Sequence, residues 1–228
     1  MNKKLFAWLV ISAMLIGVQR VTILDAAEGG FTDIAGHWAQ DYIEEFVESG
    51  ALSGYSDGTF KPDSYSTRAE TVTMFNKFFN IAGSGYAKFS DVKPNDWHYF
   101  QVGAAFEKGY IAGFPDGTFR PNQNVTHLQA LIMLYKLLGS PEYSDVTNLS
   151  SFADYNQIPA DNPLYRQVVA YMVSEGVINV YPDNTLRINN SVSRAELASL
   201  LHKVGKMMLD NAQITPAIST SPSPTDGA

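Results

Sequence analysis

Two short segments combine residue types that could bind an anion: Thr67-Arg68-Ala69-Glu70 and Ser193-Arg194-Ala195-Glu196. A hydroxyl followed three residues later by glutamate is a capping box, in which each side chain accepts from the backbone N–H of the other at a helix start. Each arginine then holds the first helical position, where the positive end of the helix dipole disfavours a cation by ~0.3–1 kcal/mol. A local rule is broken twice in the same way, and two accounts are open. One is a salt bridge to an acidic side chain elsewhere in the chain. The other is a guanidinium acting with free helix N–H groups as a pocket for a carboxylate or phosphate. Recurrence at equivalent places favours the pocket. A third segment, Thr126-His127-Leu128-Gln129, keeps the capping pattern but has histidine in place of arginine, a weaker partner for an anion near neutral pH. Full-strength anion sites are therefore expected at Arg68 and Arg194 and nowhere else.

These segments belong to a larger repeat. Phe31-Thr32-Asp33 recurs as Phe89-Ser90-Asp91 and as Phe152-Ala153-Asp154. An apolar, helix-like stretch then closes at Gly50, Gly109 or Gly176, and a turn follows seven residues later: Asp57-Gly58-Thr59, Asp116-Gly117-Thr118, Asp183-Asn184-Thr185. Eleven residues beyond each turn aspartate stand Arg68, His127 and Arg194. Constant spacings in three copies mark an internal repeat. Each unit reads as helix, turn-rich loop, helix. First helices are predicted at about 38–49, 97–108 and 164–175, and second helices at about 68–80, 127–138 and 194–208. Asn184 is the residue best able to replace glycine in the turn. Helices of about three turns cannot bury their apolar faces within one unit, so the three units are expected to pack together as one all-α module over roughly 31–206.

The residues now resemble a known family, the S-layer homology module, in which three tandem repeats attach bacterial surface proteins to the cell wall. The resemblance rests on Phe-x-Asp with an early tryptophan (Phe31, Asp33, Trp38; Phe89, Asp91, Trp97), and on the two loops Gly54-Tyr55-Ser56-Asp57-Gly58-Thr59-Phe60-Lys61-Pro62 and Gly113-Phe114-Pro115-Asp116-Gly117-Thr118-Phe119-Arg120-Pro121. The Thr-Arg-Ala-Glu and Ser-Arg-Ala-Glu segments complete it. It implies a pseudo-threefold body around a central helical bundle, with grooves between repeats that hold a secondary cell wall polysaccharide, commonly through the carboxylate of a pyruvate ketal. It also implies that the arginine binds this group and that Gly50 and Gly109, helix caps first, line the grooves where a sugar approaches the backbone. Repeat boundaries are expected at 31–82, 89–139 and 152–206. The third copy departs from the pattern, with Leu164 for the tryptophan and Val180 for the loop glycine.

Other candidates carry two readings each. Trp38 and Trp97 could stack on sugar rings, but an aromatic in the first turn of an amphipathic helix is usually core, and core is the reading preferred here. Asp33 and Asp91 either cap the first helices or hydrogen-bond sugar hydroxyls. The capping box accounts for Glu70 and Glu196 without a ligand. The Asp-Gly-Thr turns lack the alternating oxygen ligands of a calcium loop, and His37, His98, His127 and His202 show no zinc spacing. No metal or cofactor is expected.

The chain has 228 residues, a net charge of −7 and no cysteine. Such acidity argues against general binding to nucleic acid, and the missing cysteines exclude disulfides and thiolate chemistry. Lys3 and Lys4 followed by an apolar run to Val18 read as a secretory signal, with residues 1–26 removed. Cleavage would leave a more acidic chain that does not insert in a membrane and is located at the bacterial cell wall. Residues 209–228, rich in proline, serine and threonine, read as a linker or tail toward a cargo domain outside this chain. The expected function is non-catalytic anchoring. The alternatives are a helical protein-interaction scaffold and a wall glycosidase, the latter requiring a pair of carboxylates ~5–10 Å apart.

Overall fold

In a computed structural model, which describes residues 30–82 and 85–213, six α-helices form: α1 (Gln40–Glu48), α2 (Arg68–Phe78), α3 (Tyr99–Lys108), α4 (His127–Leu137), α5 (Pro163–Ser174) and α6 (Arg194–Gln213). Two short 3-10 turns, Thr147–Ser151 and Tyr155–Gln157, fill the long connection between α4 and α5. Among the described residues there is no β-strand, and the chain is all-α as expected. No helix there is long and apolar enough to cross a membrane. The expected signal segment and residues 214–228 of the expected tail lie outside the described residues.

Local chemistry sets the second helices. Thr67 and Thr126 cap α2 and α4 in reciprocal boxes with Glu70 and Gln129. At α6 the Ser193 N–H donates to Glu196 Oε2 at 2.7 Å while Glu196 N–H donates to Ser193 Oγ at 3.2 Å. Helix α6 runs five residues past the expected end at Met208, because Leu209 to Gln213 contain no glycine or proline to stop it. Two of the first helices begin later than expected: α1 and α3 start at Gln40 and Tyr99, two residues after the tryptophans, whereas α5 starts at Pro163, one residue before its expected start.

Packing crosses the repeats. Helix α3 lies on α2, α5 on α4, and α1 on α6, so each first helix packs on the second helix of another repeat. The one at the start of the module closes on the one at its end. Isolated backbone bridges join the repeats in pairs, Tyr65 with Ser193, Thr67 with Asn124, and Thr126 with Ser191. Val72, Phe75, Leu131, Leu134, Ala198 and Leu201, two from each second helix, are buried in one cluster. That shared core is why no unit is self-sufficient: a few turns of helix bury their apolar stripe only against a neighbour.

Candidate functional site

Each loop is braced from within its own repeat. Asp33 accepts from the Phe60 and Lys61 N–H groups at 2.8 and 2.7 Å, and Asp91 from those of Phe119 and Arg120, both at 2.7 Å. Asp154 does the same for Leu186 and Arg187 at 2.9 and 2.7 Å. Of the two readings of Asp33 and Asp91, the capping one is thereby corrected: α1 and α3 have no side-chain cap, and the carboxylates instead satisfy amides beyond the turn. Asn184 takes the turn position of Gly58 and Gly117 with φ 57°, as its side chain allows.

The second helices then plug into the next repeat's loop. The Arg68 and Ala69 N–H groups donate to the Gln123 and Pro121 carbonyls, those of His127 and Leu128 to Asn190 and Ile188, and those of Arg194 and Ala195 to Ser64 and Pro62. The expectation of free helix N–H groups therefore fails. The first two are spent on loop carbonyls and the third on the capping hydroxyl, because orphan donors at a buried helix start must be satisfied.

The guanidiniums follow the same path. Arg68 Nε donates to the Phe119 carbonyl at 2.8 Å and Nη2 to that of Ala112 at 3.3 Å. Arg194 Nε donates to the Phe60 carbonyl at 2.7 Å and Nη2 to that of Ser53 at 2.9 Å. Both side chains also lie over rings, Arg68 at 4.6 Å from Phe119 and 5.1 Å from Phe114, Arg194 at 4.4 Å from Phe60 and 4.9 Å from Tyr55. Each arginine is only 5% exposed. Among the described residues neither has a carboxylate within salt-bridge distance, so the salt-bridge account is excluded there. Nη1 of each makes no protein hydrogen bond among those residues. Burial pulls Arg68 down to about 10, with Arg120 acting the same way and Asp91 against it. It also lowers Arg194, where Tyr55, Glu70 and Asp33 resist the shift. A buried cation without an internal counter-ion is an unfilled electrostatic demand, and an incoming carboxylate meets it.

His127 reaches the third loop differently. Its Nδ1 sits 3.1 Å from the Arg187 carbonyl and its Nε2 3.4 Å from Glu196 Oε2. Glu196 also accepts from the Tyr181 hydroxyl, and Glu70 from that of Tyr55 at 2.7 Å. The capping box thus accounts for only part of Glu70 and Glu196. Burial acts to raise the Glu196 carboxyl, but hydrogen bonds from His127, the Ser193 N–H and Tyr181 hold it at about 2. His127, Tyr181 and Glu196 line a small cleft with Leu186 and Leu200. Tyr55 and Tyr181 were not singled out in the sequence. Their signal was there: each stands two residues before a turn aspartate, in the two repeats whose capping box carries glutamate.

Gly50 and Gly109 follow the ends of α1 and α3 with φ of 75° and 81°, and a Cβ at either would meet nothing within 4 Å. They are caps beside open space, three residues before Ser53 and Ala112, whose carbonyls hold the guanidiniums. Trp38 and Trp97 correct an expectation. They are 56% and 64% exposed, because the helices begin after them and helical phase does not turn them inward. Their rings meet those of His37 and His98, and among the described residues no contact ties them to the guanidiniums.

A family model described as S-layer homology domain matches residues 30–72, 88–131 and 163–198. An S-layer protein of Bacillus licheniformis is 30% identical over 227 residues, covering 96% of this chain and 25% of that protein. A cellulosome-anchoring protein of Acetivibrio thermocellus is 32% identical over 162 residues, 67% of this chain and 34% of that one. An amylopullulanase of Thermoanaerobacterium thermosulfurigenes is 31% identical over 185 residues, 75% of this chain but 9% of the relative. The chain spans about a third or less of each of these curated relatives.

Proposed function

The chain belongs to the S-layer homology domain family, and from that premise we propose that it is a non-catalytic anchor at the bacterial cell wall, binding a secondary cell wall polysaccharide in the grooves between its repeats. The group it recognises is an anion, the carboxylate of a pyruvate ketal. The observation that carries this reading is the pair of buried guanidiniums, Arg68 and Arg194, each crossing into the next repeat's loop without a carboxylate partner there. The fixed carbonyls and aromatic rings hold each arginine in one orientation, so little ordering remains when the ligand arrives. Asp33, Asp91, Gly50 and Gly109 frame the same loops and offer hydrogen-bond acceptors and open backbone to the sugar. Trp38 and Trp97, exposed indoles near the repeat starts, supply faces on which sugar rings stack.

The test is co-sedimentation with cell wall preparations containing and lacking the pyruvylated polymer. Retention by the first and loss from the second is expected, together with loss of retention in the Arg68→Ala, Arg194→Ala double variant. Equal binding to both preparations, or a double variant that binds like the parent, would overturn the reading.

A further inference from the structure

The three places where a second helix enters another repeat's loop, the grooves of the anchor reading, share a frame but not a charge. Each has a loop cation paired with its turn aspartate, Lys61 with Asp57 at 3.2 Å, Arg120 with Asp116 at 3.0 Å and Arg187 with Asp183 at 3.0 Å, and each has the aspartate that braces the loop. These cancel in a comparison. What differs is the set contributed by the two second helices. Where Arg194 enters the first loop, Glu70 faces it through the Tyr55 hydroxyl, and Lys77 Nζ donates to Ser53 Oγ at 2.6 Å. Where His127 enters the third loop, Glu196 faces it directly at 3.4 Å while also accepting from the Tyr181 hydroxyl, and Lys203 donates to Asn179.

Where Arg68 enters the second loop, every equivalent group has changed in one direction. Phe114 replaces the tyrosine and still lies under the guanidinium, so no hydroxyl remains to hold a carboxylate. Gln129 stands at the position of Glu70 and Glu196. Ala112 stands at the position of Ser53 and Asn179. Lys136, at the helical position of Lys77 and Lys203, makes no hydrogen bond or ion pair among the described residues. Of these groups, the Arg68 groove carries two cations and no carboxylate, the Arg194 groove two cations and one carboxylate, and the His127 groove one lysine, one carboxylate and an imidazole.

We propose, building on the anchor reading above, that the groove between the first and second repeats is the chain's principal anion site, that Lys136 is its second binding cation, and that Gln129 sets its preference by withholding the carboxylate present in the other two. The Arg194 groove then ranks second. The His127 groove accepts the uncharged sugar and disfavours the anion, since Glu196 already occupies its cation-facing side. The ranking follows from Coulomb interaction over the few ångströms between these groups and a bound carboxylate, inside a half-buried groove where screening is weak.

The experiment titrates the full chain with a methyl N-acetylhexosaminide bearing a 4,6-pyruvate ketal, read by calorimetry and by amide spectra, beside the 4,6-ethylidene analogue that keeps the ring and lacks the carboxylate. Amides of Ala112 and Phe114 should respond at the lowest ketal concentration, those of Ser53 and Tyr55 later, and those of Asn179 and Tyr181 last. Gln129→Glu recreates the capping box of the other repeats and so should fold; it should weaken the tightest ketal phase about tenfold and leave the ethylidene analogue unaffected. Lys136→Ala should behave alike, with Lys136→Arg restoring binding. The inference is overturned if the Ser53 or Asn179 loop saturates first, or if Gln129→Glu leaves ketal binding unchanged while the parent still prefers the ketal. A parent that binds ketal and analogue equally overturns the anchor reading as well.

Discussion

Replacing Arg68 by methionine separates a binding residue from a structural strut. Holding the guanidinium at about 10 against its ordinary 12.5 means that the folded surroundings disfavour the charge by roughly 3 kcal/mol. The sign is fixed by the direction. A base lowered in the folded state destabilises it at every pH below the folded value, and the penalty vanishes only above the unfolded one. Methionine removes that penalty and keeps a linear side chain over Phe119. It also removes the charged hydrogen bond to the Phe119 carbonyl at 2.8 Å and the longer one to Ala112 at 3.3 Å, together about 2–4 kcal/mol. The two terms offset, so unfolding free energy in urea at pH 7 should move by less than ~2 kcal/mol while ketal binding at this groove is lost. A loss above ~4 kcal/mol would show that Arg68 holds the repeats together on its own account. Undiminished ketal binding would remove it from the site.

Trp38→Ala and Trp97→Ala should each change stability by less than ~1 kcal/mol, because both indoles are exposed, whereas Phe60→Ala, in the fully buried interior, should lose ~3–5 kcal/mol; urea titrations of the three variants check this. Stability should fall as pH drops from about 4.5 toward 2, since Glu196 is depressed to about 2 in the fold and its contribution is complete only above the unfolded value. That dependence should be visibly shallower in Glu196→Gln. A peptide of residues 31–82 should show little helix by circular dichroism, because α1 lies mainly on α6 and the Phe46–Phe78 edge contact with α2 is too small a core on its own; cooperative unfolding of that peptide alone would contradict the exchanged packing.

The helix starts at Arg68, His127 and Arg194 were legible because capping chemistry is local: a hydroxyl, a following glutamate or glutamine and the backbone between them decide it with no help from the rest of the chain. The loop turns were legible for the same reason, down to Asn184 standing in for glycine. The sequence alone starts α1 and α3 two residues early, at Trp38 and Trp97, since an apolar residue at a helix boundary carries no sign of whether it lies inside the first turn. Of the two readings of Asp33 and Asp91, the cap fails: a carboxylate near a helix start suggests one locally, while its actual donors lie more than 25 residues away.

The sequence by itself determined the repeat, the helix termini and the identity of the two odd arginines. Only the tertiary structure decided what those arginines meet. Each helix start is buried against the loop of another repeat, so its N–H groups are consumed by carbonyls and are not available to an anion, while the guanidinium is stripped of water with no carboxylate to replace it. Which grooves retain that unanswered charge depends on Glu70, Gln129 and Glu196, residues whose local role is the same in all three repeats. Their difference appears only when the neighbouring repeat places Arg194, Arg68 or His127 opposite them.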